Sequence, residues 1–203
     1  MGGCAIGLLI TDEARPPVRA TKDVDLVAEV AGKAGYYKLA SQLKQLGFKE
    51  DTGKILCRWR LRDLIIDVMP TDEAVLGFSN RWYIEAVKAG SPFKLPSGTE
   101  IKLISAPLMV ATKIEAFYGR GKGDYAGSHD IEDIINLIDG RPELPGEIVE
   151  GSPSLSAYLR EEVEDLLAQK RFTDTIAWHL AADEISQARV TIVLDRMRRV
   201  AGL

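Results

Sequence analysis

Two aspartates, Asp23 and Asp25, stand two residues apart in the run RATKDVDLV, residues 19–27. The flanking residues read as a β-strand, in which alternate side chains share a face: Val24, Leu26 and Ala28 on one side, Asp23, Asp25 and Val27 on the other. Two carboxylates roughly 4 Å apart repel by about 4 kcal/mol at an effective dielectric near 20. A strand that accepts this needs a compensating positive charge, and a divalent cation is the strongest available. Magnesium takes hard oxygen ligands, keeps several waters, and is commonly held by one or two carboxylates plus substrate phosphates. Two such ions about 3.5–4 Å apart clamp an in-line displacement at phosphorus. Asp67 supplies a third carboxylate: it lies in LIIDVMP between Ile66 and Val68, where an unpaired charge is costly. The plain alternative is that these aspartates cap the strand or pair with arginine. On repulsion alone, asparagine at position 25 or 67 is expected to stabilise the protein when no cation is bound.

Composition narrows the class. The chain has 203 residues, 46% of them hydrophobic and 28% charged, with a formal net charge of −4. It can bury an ordinary core, and any basic surface has to be local. Cys4 and Cys57 are the only cysteines; they form neither a disulfide framework nor a zinc spacing, and read as reduced thiols. No apolar run approaches the roughly 20 residues of a membrane span, and the opening residues do not read as a secretory leader. A cytoplasmic protein without membrane association is expected.

The elements that must position the aspartates follow from patterning. Residues 4–10 are short and apolar, fit for a helix, and Pro16-Pro17 keep the next loop out of helix. A strand is expected over 21–29 and a helix over 33–48 that stops at Gly47. Residues 54–61 and 63–70 read as two strands joined at Arg62-Asp63, with Arg58, Arg60 and Arg62 alternating with Cys57, Trp59 and Leu61. Then come a short helix over 79–90 capped by Ser79 or Asn80, two strands around Pro96-Ser97-Gly98, and a helix over 106–119 with Pro107 in its first turn and Gly119 at its end. A glycine-rich basic loop leads to a helix over 128–140 whose Ile131, Ile134, Ile135 and Ile138 share a face. Glycines and prolines mark a boundary near 141–152, and three helices follow. The expected class is α/β of the mixed α+β kind: a mixed sheet flanked by helices over residues 1–140, then a helical C-terminal region over 141–203.

The order of the short motifs carries a resemblance. Gly2-Gly3, then Arg19-x-Thr21-x-Asp23-x-Asp25, then Ile65-Ile66-Asp67-Val68 resembles the nucleotidyltransferase superfamily that includes DNA polymerase beta. The wording is closest to the AbiEii-like abortive-infection toxins and their minimal bacterial relatives. In those, a later helix carries a lysine and then an arginine, followed by a helix with paired aspartates; here these are Lys113 and Arg120, then Asp130 and Asp133. The resemblance spans residues 1 to about 138 and implies a nucleotidyltransferase fold with Mg2+ or Mn2+ on Asp23, Asp25 and Asp67. Asp67 would also help deprotonate the acceptor hydroxyl. Gly2, Gly3, Cys4, Arg19, Thr21, Lys113 and Asp130 would serve a nucleoside triphosphate, with Lys113 neutralising its charge and Asp130 in support. The implied reaction transfers a nucleoside monophosphate to a hydroxyl on tRNA, protein or a small molecule, in the setting of a toxin with an antitoxin partner.

The chain departs from the pattern twice. Cys4 stands where serine is usual, so a thiol, a weaker donor, replaces a hydroxyl. The strand that the glycine pair normally ends, and the helix before it, are absent: either the sequence is cut short or a start was missed, and translation is expected to start upstream, with Met1 standing where an apolar strand residue belongs. A second reading is therefore a catalytically weakened member of the fold that binds nucleotide or a partner protein without turnover. A third is a structural domain with surface aspartates. Arg58, Arg60 and Arg62 either hold triphosphate or RNA, or form a solvated face. The loop at 119–128 is either a phosphate-contacting flap or simply mobile. His179 reads as structural, His129 as a helix cap, and Trp59, Trp82 and Trp178 as core or interface residues. The basic end of the last helix suits the helix dipole.

Overall fold

Alternating apolar side chains draw the first half of the chain into a mixed sheet. The computed structural model describes residues 2–53, 55 and 57–203. Helix α1 (Gly3–Leu9) precedes strand β1 (Val24–Ala28), helix α2 (Gly32–Gln45) and strands β2 (Lys49–Glu50), β3 (Arg58–Leu61) and β4 (Leu64–Pro70). The sheet order is β1-β4-β3-β2, with β1 parallel to β4 and the other pairs antiparallel. One face packs Trp59, Ile66 and Val68 on Ala40 and Leu43 of α2, with Val24, Ala28, Leu39 and Phe48 around them. Gly47, at φ 90°, reverses the chain after α2, a conformation natural to glycine. The expected strand over 21–29 is shorter, so Asp23 stands just ahead of β1. The expected part of Met1 in a strand lies outside the described residues, as do Lys54 and Leu56 of the expected strand 54–61.

The hairpin is as the pattern predicts. β3 and β4 meet at Arg62-Asp63, and Leu61, Arg60, Trp59 and Arg58 pair with Leu64, Ile65, Ile66 and Asp67. Short helices α3 (Glu73–Leu76) and α4 (Tyr83–Ala89) and a hairpin, β5 (Ser91–Lys94) with β6 (Glu100–Leu103), follow. Helix α3 was not expected; the Asp72 carboxylate caps it, accepting from the Ala74 N–H at 2.9 Å. Helix α4 begins later than expected, because Asn80 Oδ1 accepts from the Trp82 N–H at 3.1 Å and makes a turn ahead of it.

The remainder is helical: α5 (Ala106–Arg120), α6 (His129–Gly140), α7 (Leu144–Glu150), α8 (Pro153–Ala168), α9 (Lys170–Thr173), α10 (Glu184–Ala188) and α11 (Val190–Ala201). Helix α5 runs through Gly119 and is closed by Gly121. The stretch 141–152 holds α7, with Leu144, Pro145 and Ile148 buried. Residues 171–182 do not form one helix. The Thr173 and Thr175 hydroxyls bond back to the carbonyls of Lys170 and Phe172, and such local bonds compete with helix propagation; α9 ends there and a 3₁₀ turn, Ile176–His179, follows. The last expected helix breaks at Arg189 into α10 and α11.

The chain forms two compact units. The first comprises the described residues up to Ala5 with Arg19–Ile104; the second comprises Ile6–Val18 with Ser105–Leu203. In the second, Ile131, Ile134, Ile135 and Ile138 are buried together as expected. A buried ionic network closes the C-terminal end of α6. Asp139 accepts from Arg15 Nε at 3.0 Å and from Arg189 Nε at 2.7 Å, and Arg189 Nη2 reaches Asp12 at 2.6 Å. Arg15 also donates to Asn136, and Arg196 to the carbonyls of Ile138 and Asp139. Cations at this end meet the orphan carbonyls and the negative end of the helix dipole. Among the described residues no helix is long and apolar enough to cross a membrane.

Candidate functional site

On the sheet face opposite α2, one row of residues crosses three strands. Asp25 is the register partner of Asp67 across β1 and β4, and Asp67 of Arg58 across β4 and β3. Register partners share a face and lie one strand spacing apart, about 4.8 Å. Arg58 Nε and Nη2 donate to the two oxygens of Asp67, each at 2.8 Å, and Nη2 also donates to Asp23 Oδ2 at 2.6 Å. The guanidinium fork matches a carboxylate in this bidentate geometry. The fork to Asp67, with the charges of Asp67 and Asp23, raises the Arg58 pKa above its ordinary value against the opposing effect of burial.

The close pairing answers the repulsion inferred from sequence: an arginine supplies the counter-charge. Asp67 is only 7% exposed, and the fork is what makes its burial tolerable. Of Arg58, Arg60 and Arg62, expected either to hold triphosphate or RNA or to form a solvated face, Arg60 and Arg62 are exposed. Arg58 is taken by the aspartates and Arg60 Nε pairs with Asp51 at 2.7 Å. Arg62 lies outside β3, exposed in the turn at φ 52°. Cys57, beside Arg58, is buried; burial, with the charges of Asp67 and Asp25, pushes its thiol up to about 11, so it is unreactive at neutral pH.

The glycine pair meets the same row. Gly2 has φ 84°, and a Cβ there would lie 1.8 Å from Asp25 Oδ2 and 2.5 Å from its Cγ. Only a residue without a side chain allows this approach. Gly3 opens α1, and Cys4, partly buried, follows in its first turn. Thr21 donates from its hydroxyl to the Asp23 carbonyl at 3.2 Å and shapes the bend into β1. Arg19 begins this segment of the first unit. Among the described residues no three His, Cys, Asp or Glu side chains converge as ligands of one metal ion; Asp23 and Asp67 turn to Arg58 instead.

Lys113 and Asp130 belong to the second unit, where they meet each other. Lys113 Nζ lies 2.6 Å from Asp133 and 3.3 Å from Asp130. Arg120, two turns along α5, forks onto Asp130 at 2.9 and 2.8 Å. Burial raises the Asp130 carboxyl, but the Arg120 fork and the Lys113 charge outweigh it and hold the pKa below 3.8. A depressed value means that the group's stabilisation is complete above the unfolded pKa and lost as pH falls through the folded one. The melting temperature is therefore expected to drop as pH falls below about 4, and Asp130→Asn to flatten that limb. An unaltered acid limb in Asp130→Asn would refute the pairing.

Other expected residues find structural work. His179 Nε2 donates to the Tyr125 carbonyl at 2.7 Å, and the Tyr125 ring packs between Phe117 and Phe172. These contacts tie Tyr125, within the loop at 119–128, to Phe117, Phe172 and His179. Ser128, not His129, caps α6; His129 pairs with Glu132 at 3.0 Å. Trp59 and Trp82 are buried, whereas Trp178 is exposed and not a core residue. No protein-family model matches this chain, and no curated protein matches it.

Proposed function

We propose that the chain is a magnesium-dependent nucleotidyltransferase, which moves a nucleoside monophosphate from a nucleoside triphosphate to a hydroxyl acceptor on tRNA, protein or a small molecule. The observation that carries the reading is the pairing of Asp25 with Asp67 on adjacent parallel strands, with Asp23 two residues ahead. The close approach of the Gly2 backbone to Asp25 adds to it. The donor chemistry suits the cation once Arg58 releases the carboxylates: hard carboxylate oxygens are what magnesium takes alongside substrate phosphates. Asp23, Asp25 and Asp67 would hold it, or Mn2+ in its place. Bound there, the ion neutralises charge on the triphosphate and lowers the pKa of the attacking oxygen.

The chain's own residues do the rest. Asp67 accepts the proton of the acceptor hydroxyl as the new phosphodiester bond forms and pyrophosphate leaves. Gly2 lets its backbone meet Asp25, while Arg19 and Thr21 lead into Asp23. Lys113 is held by Asp130 and Asp133 within the second unit. A toxin restrained by an antitoxin is the setting we favour.

The test offers the purified chain each of the four labelled triphosphates with Mg2+ or Mn2+, total tRNA and cell lysate. Metal-dependent pyrophosphate release and label transfer are expected. The absence of both signals in the wild type overturns the assignment. Two observations favour a second reading. Arg58 already neutralises Asp23 and Asp67, and Cys4 lacks the hydroxyl, as suits a nucleotide- or partner-binding relative without turnover. Its mark is a triphosphate-dependent rise in melting temperature with no pyrophosphate.

A further inference from the structure

We propose that Arg58 and a divalent cation exchange on the carboxylates: the guanidinium is the built-in counter-ion of Asp23 and Asp67, and it yields Asp67 as the cation binds. The inference rests on the reading of these aspartates as a cation site. Three contacts define the counter-ion, two to the oxygens of Asp67 at 2.8 Å and one to Asp23 at 2.6 Å. These are oxygens the cation needs. A divalent ion on Asp67 stands against a guanidinium at hydrogen-bonding range, in a site where Asp67 is buried and solvent screens little.

The exchange is confined to a side chain. The backbone of Arg58 is fixed by its pairing with Asp67 and by the Asp51 N–H, which donates to the Arg58 carbonyl at 2.9 Å. The side chain retains 16% exposure, which leaves it a solvent side toward which to turn. Once released, the fork is a planar donor suited to phosphate oxygens. Cation binding thereby frees a phosphate-binding group beside the same carboxylates, so cation and triphosphate bind cooperatively, and each raises the affinity of the other.

Mn2+ binding to the full chain, read by electron paramagnetic resonance of the free ion without nucleotide, tests the exchange. Arg58→Gln is expected to bind Mn2+ about tenfold tighter than the wild type, since no charge-assisted hydrogen bonds have to break first. In chelator its melting temperature is expected to lie below that of the wild type, and Mn2+ should raise it by more. Equal or weaker Mn2+ binding in Arg58→Gln, with clear binding in the wild type, overturns the exchange alone. No binding in either protein overturns the cation site and the exchange with it. A measurement on the wild type covers the case in which the variant does not fold. The Arg58 Nε–H signal in a 15N-labelled sample is expected to be slow to exchange with water in chelator, and to shift and exchange faster when Mg2+ is added. A signal unmoved at saturating Mg2+ overturns the proposal.

Discussion

Asp67→Asn is expected to lose nucleotidyl transfer and stability together. The two losses have separate origins. Transfer falls by at least about a hundredfold, the scale on which removal of one group stabilising transition-state charge is felt. Stability falls because Arg58 carries donors only: asparagine keeps one acceptor oxygen but turns an NH2 toward the other arm of the fork. Loss of half of a bidentate, largely buried pair costs about 2–3 kcal/mol, some 5–10 °C in melting temperature for a chain of this size. Sequence alone predicts the opposite sign, relief of repulsion between Asp25 and Asp67, and the fork reverses it. Asp25→Asn is the companion variant. It should lose transfer to a similar degree while the Arg58 fork to Asp67 stays in place. Denaturant unfolding in chelator and label transfer with Mg2+ read the two effects. Wild-type transfer by Asp67→Asn sinks the enzyme, and an unchanged unfolding midpoint sinks the fork.

The largest effect on stability is expected at Asp139, far from any residue singled out by motif. Its side chain is 1% exposed and holds Arg15 and Arg189, whose side chains are 6% and 12% exposed. Burial pulls the Arg15 pKa down, and Asp139 pulls it back. With Asp139→Asn, Arg15 loses its carboxylate partner and Arg189 is left with the carboxylate of Asp12. Breaking a buried ion pair from one side costs about 3–5 kcal/mol, a large share of the roughly 5–15 kcal/mol that holds a natural domain together. The control is Asp174→Asn. Its partner Lys170 is 85% exposed, and a surface pair of this kind is worth at most about 1 kcal/mol. Urea midpoints that fail to separate the two variants would dismiss the network as a source of stability.

Much of the first site was legible in the chain, and one part of it was missed that simple counting recovers. Counting outward from a two-residue turn at Arg62-Asp63 brings Arg58 opposite Asp67, so the counter-charge to the aspartate could have been read from the hairpin. The contact from Arg58 to Asp23 could not. It depends on the register of parallel strands β1 and β4, which a long crossover sets and no local pattern reports. Lys113, Arg120, Asp130 and Asp133 were singled out by the family resemblance, and helical spacing, which stacks each pair on one face, accounts for their meeting. Arg15, Asp139 and Arg189 were not, since they lie in three separate segments with no common periodicity. Gly119 was read as the stop of α5, but the helix runs on to Arg120 and Gly121 closes it. The breaks at Thr173 and Arg189 were hidden for a different reason: side chains there bond to nearby backbone or to distant acids, and the apolar period cannot register either.

The bond from Arg189 to Asp12 spans 177 positions of the chain, and that from Thr11 to Glu143 spans 132. Such separations set an order of assembly during synthesis. The four-stranded sheet has all its strands once Pro70 has left the ribosome, whereas residues 6–18 emerge early and wait for partners made last. Closing so long a loop is entropically costly and slow, so the helical unit matures only when the chain is nearly complete. A nascent chain halted before Arg189 would carry a finished sheet beside an open N-terminal segment, exposed to proteases and to mispairing until its last helix arrives.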